Sequence, residues 1–252
     1  MRLDLYLEQI LSYTFFYMNR LSELSVFFPA YNEEANLRMV VEKAINYLPK
    51  IAQKWEVLIV DDGSKDKTGE IADSLAKEYR QIRVIHHRPN RGYGAAFKSG
   101  FYNAKYEWIA FTDSDGQFDF RDIDKFIEKQ KETSADLVIG YYLGRKVSLQ
   151  IKITSKIWEI LVFLLFGLNV HDIDCGFKLV SKKVISSIPK LESERGAFIS
   201  SEFLVKARRA GFKIEEVGVR HYVRAGGKPT GRKLNVIMQS FVDLFRLWQR
   251  LK

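Results

Sequence analysis

Four times between Leu24 and Asp115 a strand-length run of apolar residues stops on a polar turn: "LSVFFPAYN", "WEVLIVDDGS", "IRVIHH" and "WIAFTDSD". Between these runs lie stretches with helical spacing. "NEEANLRMVVEKAINYLPK" places Leu37, Val40, Val41, Ala44 and Leu48 on one stripe, "KTGEIADSLAKEY" does the same with Ile71, Leu75 and Tyr79, and "NRGYGAAFKSGFYNA" reads as a loop opening into a helix. Strands that are apolar without alternation and are separated by helices predict an α/β fold, a mostly parallel sheet covered on both faces. Ligands then gather beyond the carboxyl ends of the strands.

After "ADLVIGYYLG", read as a further strand, the alternation loosens. "SKIWEILVFLLFGL" reads as an apolar helix, "SSEFLVKARRAGF" as an amphipathic one and "KIEEVGVRHYV" as a late strand. In the closing "LNVIMQSFVDLFRLWQRLK", Leu234, Ile237, Phe241, Leu244, Phe245, Trp248 and Leu251 share a face, with arginines interleaved. The chain of 252 residues is long enough for one large domain. It divides here into a helical extension over 1–24, the α/β domain over 25–232 and an amphipathic helix over 233–252.

Composition excludes several classes. One cysteine, Cys175, forms no disulfide framework and no thiolate zinc site, which suits a reducing compartment; a small buried role is expected for it. The longest apolar run, Ile160 to Leu168, falls short of the roughly 20 residues that cross a bilayer. The first 24 residues lack the apolar core and cleavage site of a signal peptide, so a cytoplasmic chain is expected. Net charge is +9, and from Arg220 onward Arg224, Lys228, Arg232, Lys233, Arg246, Arg250 and Lys252 meet only Asp243. Such a tail attracts anions, whether phosphorylated substrates, acidic membranes or nucleic acid. Nucleic acid is the disfavoured partner, because no recognition module is present and acids crowd the expected ligand edge.

Asp61, Asp62, Asp113 and Asp115 fall just beyond strand ends. Acids are also ordinary turn residues, and Asp62-Gly63 suits a tight turn. Asp113 and Asp115, two apart on one loop, can share a divalent cation with the Gln117 amide, and hard oxygen donors suit magnesium or manganese. A calcium loop of the EF-hand kind needs glycine where Phe118 stands. Gly92, Gly94 and Gly100 have the wrong spacing for a dinucleotide fingerprint, and His86, His87, His171 and His221 lack metal-ligand spacing and read as structural.

In order, "PAYNEE", "VDDGSKDKT", "NRGYGAAFKSG", "DSDGQ", "ADLVIG", "DIDCGFKLVSKKV", "SSEFLVKARRAGFKIEEVGV" and "RAGGKPT" resemble the family 2 glycosyltransferases of GT-A fold. The resemblance runs from about Ser25 to Thr230 and is strongest to the polyprenyl-phosphate sugar transferases of the dolichyl-phosphate mannose synthase kind. It implies an inverting transfer of one sugar from a nucleotide diphosphate sugar, of GDP-mannose or UDP-glucose type, to a polyprenyl phosphate. The membrane contact would be peripheral, on the cytoplasmic face; the last helix either lies in the interface, with Phe241, Phe245 and Trp248 towards lipid, or packs on the domain or another subunit.

By the same resemblance Pro29, Tyr31, Glu33, Val60 and Asp62 hold base and ribose, Asp113 and Ser114 meet ribose and diphosphate, and Asp113, Asp115 and Gln117 hold Mg2+ or Mn2+. The family's phosphate-binding arginine after "VIG" is replaced by Tyr142, leaving Arg145 nearby; Arg224 matches a second such arginine. The expected lysine is Thr230 here, leaving Lys228 or Arg232. Asp172, Asp174 and Glu202 match acidic positions; Asp174 is the candidate base if the acceptor is instead a saccharide or other hydroxyl. Asp172 and Glu202 read better as caps or ion-pair partners.

Overall fold

A computed structural model of the chain describes residues 20–144, 149–194, 196, 198–224, 226 and 234–251, the side chains at 149–152 and 234–238 excepted. The elements follow in the order β1 (Leu21–Ala30), α1 (Leu37–Ile51), β2 (Ala52–Asp61), α2 (Thr68–Glu78), β3 (Ile82–His86), α3 (Tyr93–Asn103) and β4 (Trp108–Thr112). After a single 3-10 turn at Phe120–Asp122 come α4 (Ile123–Thr133), β5 (Leu137–Leu143), α5 (Leu149–Phe166), β6 (Phe177–Ser181), α6 (Lys182–Ser187), α7 (Phe198–Arg209), β7 (Ile214–Arg220) and α8 (Leu234–Arg250).

The seven strands form one sheet in the order β3-β2-β1-β4-β6-β5-β7. Every neighbouring pair is parallel except those of β6, which runs antiparallel to both β4 and β5. Both faces are covered, which is why the strand runs read as continuously apolar. Val26 and Phe28 of β1 face α1, α2 and α4, packing in a cluster with Leu37, Val41, Leu48, Leu75 and Phe126. Phe27 points the other way, with Leu58, Val60, Phe111, Phe97, Phe101 and Phe203. Its ring lies 4.8 Å from that of Phe101. A Cβ at Gly100 would fall 2.1 Å from the Phe27 ring, so glycine there lets α3 lie directly on the sheet.

β1 pairs with β2 as far as Ala30↔Asp61 but with β4 only as far as Phe27↔Phe111. The β1–β4 ladder ends at that point, and such a split at the carboxyl ends of parallel strands is where ligands gather in sheets of this class. It also accommodates Pro29 inside the strand, since the missing N–H falls where the β4 ladder has ended.

Three sequence expectations change. The strand begins at Leu21, so 21–24 belong to the sheet and not to a helical extension; the rest of that extension, 1–19, lies outside the described residues. α7, expected to be amphipathic, is buried from Phe198 through Ala207 because it sits between α3 and α8. α8 buries Leu244 and Leu247 against the domain, and Phe241 meets Trp158 of α5 edge to face at 5.3 Å. Of the residues assigned to lipid on α8, Phe245 is the one left exposed, at 52%.

Candidate active site

Asp113 follows β4 and is held by its neighbours across the sheet. Its N–H donates to the Gly176 carbonyl at 3.1 Å, and its Oδ1 accepts from the Tyr93 hydroxyl at 3.3 Å. A Cβ at Gly176 would stand 1.9 Å from Asp113 Oδ2, so the turn before β6 is shaped around this carboxylate. Packed surroundings, then the charge of Asp115, push the Asp113 pKa up to about 7, with Lys178 acting in the opposite direction.

Asp115 accepts from its own loop, at Gln117 N, and lies 3.5 Å from Arg224 Nη1. Arg224 also contacts Glu33 through Nη2 and donates from Nε to the Gly226 carbonyl at 2.7 Å. Glu33 is buried, and its pKa is raised by that burial and by Asp115 while Asn36 and Arg224 pull it down. Asn36 donates to Glu33 Oε2 and to the Gly226 carbonyl, and its buried Oδ1 has no donor among the described residues. Gln117 and Tyr222 exchange two hydrogen bonds, Gln117 Nε2 to the Tyr222 carbonyl and Tyr222 N to the Gln117 carbonyl. The segment after β7 is thereby drawn across the tips of β1 and β4.

The tip of β2 is arranged differently. Asp62 is buried and accepts from His87 Nδ1, Asn90 Nδ2, Arg91 N and Gly92 N, which pins the loop leading into α3. Asp61 accepts from Ser64 N and from His86 Nδ1, whose other nitrogen meets Asp73 at 3.0 Å. The Ser64 hydroxyl in turn accepts from Asn32 N, and Glu33 N donates to Thr68 Oγ1, joining the loops after β1 and β2. His86 and His87 are structural, as expected.

The structure brings Glu33, Asp113, Asp115, Gln117 and Arg224 together. Ser114 lies beside them, but its hydroxyl is committed to the Pro29 carbonyl at 2.6 Å, holding the tips of β1 and β4 at a fixed spacing. Tyr31 is half-buried on the loop after β1. Val60 is fully buried in the core against α3, so its side chain does not line the crevice. Asp174 follows Asp172, whose Oδ1 accepts from Asp174 N in a tight turn. Glu202 pairs with Lys206 and accepts from Glu192 N and Ser193 N, so it supports a loop, as its alternative reading held. Cys175 is buried, its thiol pushed up to about 12 by burial. Arg145 and Lys228, together with Arg232, lie outside the described residues.

Sequence reasoning missed Tyr93, Asn36 and Lys178. Tyr93 lies inside "NRGYGAAFKSG", a motif marked by its glycines, and Asn36 lies two residues beyond "PAYNEE", at the start of a helix marked by its apolar stripe. Lys178 carries a signal of its own, a lysine in the strand "FKLVS" with apolar residues on either side.

The donor set suits a divalent ion. Two carboxylates in one loop, one of them forced upward in pKa, meet an amide whose nitrogen is already used, so the oxygen is the atom left to ligate. Among the described residues no three or more His, Cys, Asp or Glu side chains cluster around a metal-sized space, so further ligands must come from water or a diphosphate. The family model of glycosyl transferase family 2 matches residues 25–188. The chain is a family 2 glycosyltransferase.

This glycosyltransferase is 32% identical over 237 residues to a dolichyl-phosphate beta-glucosyltransferase of Trichomonas vaginalis, covering 89% of this chain and 72% of the relative. It is 32% identical over 229 residues to the dolichyl-phosphate beta-glucosyltransferase of Saccharomyces cerevisiae, covering 81% and 68%. Among solved structures, glucosyl-3-phosphoglycerate synthase of Mycobacterium tuberculosis, crystallised with Mn2+, UDP and glucosyl-3-phosphoglycerate, superposes with a TM-score of 0.68 at 21% identity. That match covers 90% of this chain and 80% of the synthase, and it establishes the shared GT-A fold.

Proposed function

We propose that this glycosyltransferase moves glucose from a nucleoside diphosphate sugar to a polyprenyl phosphate at a membrane surface, with inversion at the anomeric carbon. The observation that carries the reading is the acid pair Asp113 and Asp115 at the open end of a parallel sheet, with the first of them held at a pKa of about 7. Asp113, Asp115 and the Gln117 oxygen would hold Mg2+ or Mn2+, which supplies positive charge against the diphosphate leaving group. Glucose as the sugar is supported by the names of the relatives.

The residues of the chain then divide the work. Tyr31 and Glu33 border the space for base and ribose, while Asp62, Ser114 and the Pro29 carbonyl set its shape from behind. A lipid monophosphate is anionic near neutral pH and attacks without a general base. Arg224, beside the acid pair, is the candidate cation to receive it, and Arg145 and Lys228 are further candidates, all three by resemblance.

Membrane contact is supported by two neighbouring helices. α5 exposes Ile153, Ile157, Ile160, Phe163 and Leu164, and α8 exposes Val242 and Phe245 beside Arg246 and Arg250. No described helix is long and apolar enough to cross a bilayer. The surface suits peripheral docking, and the cytoplasmic face is carried over from the family resemblance.

Incubating purified protein and Mn2+ with labelled UDP-glucose or GDP-mannose and a short-chain polyprenyl phosphate, followed by organic extraction, tests the reading. Glucose label should enter the organic phase; an unlabelled organic phase with every donor overturns the proposal. Vesicle flotation of Ile157→Ser/Leu164→Ser/Phe245→Ser tests the docking face without exposing the core, and undiminished binding removes these helices from it.

A further inference from the structure

The sheet carries one charged side chain whose place no local rule explains. Lys178 of β6 is 0% exposed, on the strand paired with β4. Its register partner across the sheet is Phe111, two residues before Asp113, and its ammonium stands 5.7 Å from the centre of the Phe111 ring. Its hydrogen bond goes to the carbonyl of Cys175, in the turn whose next residue, Gly176, receives the Asp113 N–H and backs the Asp113 carboxylate. Asp113, Asp172 and Asp174 are all near enough to act on its charge.

An ammonium buried without a direct carboxylate hydrogen bond is costly, and apolar replacements of buried charges are often neutral or stabilising. A lysine with three donors and a carbonyl as its hydrogen-bond partner is therefore poor material for stability alone. We infer that Lys178 is a positioning residue: it braces the 172–176 turn from below, and through Gly176 it fixes where the Asp113 carboxylate meets its cation. The inference rests on the metal-assisted reading of the site.

Lys178→Met keeps the length and removes both charge and donor. Thermal unfolding of this variant is compared with wild type, and Mn2+ binding is followed by the electron paramagnetic resonance of free Mn2+ in the presence of UDP. The expected result is a melting temperature equal to or above that of wild type, with Mn2+ half-saturation raised at least ten-fold. Tighter Mn2+ binding would show that Lys178 acts only as a repelling charge, and unchanged binding that it has no part in placing Asp113; either overturns the inference. A large fall in melting temperature with Mn2+ binding intact makes the residue structural and overturns it as well. If the Met variant does not fold, Lys178→Gln carries the same comparison. Wild type that binds no Mn2+ defeats the metal reading instead. The brace is then read from kcat on the labelled donor, where a variant as fast as wild type overturns it.

Discussion

The tips of β2 and β4 each carry two aspartates, and the fold treats them oppositely. At β2, Asp62 receives four N–H donors from one loop and Asp61 receives a backbone N–H and an imidazole, so both carboxylates are satisfied within the protein. At β4, Asp115 receives the Gln117 N–H and has Arg224 at 3.5 Å, so the contrast rests on Asp113, which receives a tyrosine hydroxyl and the company of another acid. An acid cluster becomes a ligand site when the chain withholds donors from it. Placement at a strand end is shared by both tips and decides nothing by itself.

The sharpest way to break this contrast is Asp113→Asn. Activity should fall about a hundred- to a thousand-fold, as when a group facing developing charge is removed, while the melting temperature holds or rises because the repulsion by Asp115 is relieved. A variant that keeps its rate would leave the β4 tip no more functional than the β2 tip.

Asp62→Ala should do the reverse. Removing a buried acceptor orphans several N–H groups of the 87–92 loop, at a cost of about 3 kcal/mol, read as a lowered midpoint in urea. A midpoint equal to wild type, with donor binding lost, would return Asp62 to the ligand role that the resemblance gave it.

The pH dependence sharpens the comparison further. Asp113 has its pKa raised to about 7 in the fold, so its contribution to stability is complete below the ordinary carboxylate range and is lost as pH rises through about 7. Melting curves between pH 4 and 8 should show this decline in EDTA, and Mn2+ should offset it. The slope should be reduced in Asp113→Asn, with the smaller contributions of other shifted groups remaining.

The smallest effect belongs to His86. Burial lowers its pKa, but the hydrogen bonds to Asp61 and Asp73 outweigh it and the net shift is upward. Its contribution is present below its ordinary value near 6.5 and lost as pH rises through the folded value. His86→Asn should flatten the stability profile above pH 6.5 by under about 1 kcal/mol. Asp61 is shifted down on balance: burial opposes the change, but the bonds from Ser64 and His86 prevail, so its share is lost only as pH falls below the ordinary carboxylate range.

Some of the site was legible because it is local. Asp113, Asp115 and Gln117 lie on one short loop at a strand end, and spacing alone brings them together. Val60 shows the opposite case: the family resemblance assigns it to the nucleotide, but its side chain is buried against α3, and in a strand covered on both faces the residue pattern does not say which side chains face which helix layer. Lys178 and Tyr93 stayed hidden because they reach Asp113 from β6 and α3, far away in sequence.

By itself the sequence determined the α/β alternation, the mostly parallel sheet and the loop that brings Asp113, Asp115 and Gln117 together, because strand and helix periods and short-range spacing are properties of neighbouring residues. Only the tertiary structure decided which acids are satisfied and which are left wanting. It alone set β6 antiparallel between β4 and β5, bringing Gly176 and Lys178 against Asp113, and buried Leu244 and Leu247 while leaving Phe245 outside. Hydrogen-bond satisfaction and burial depend on what long-range packing brings near, and no local window of residues contains that information.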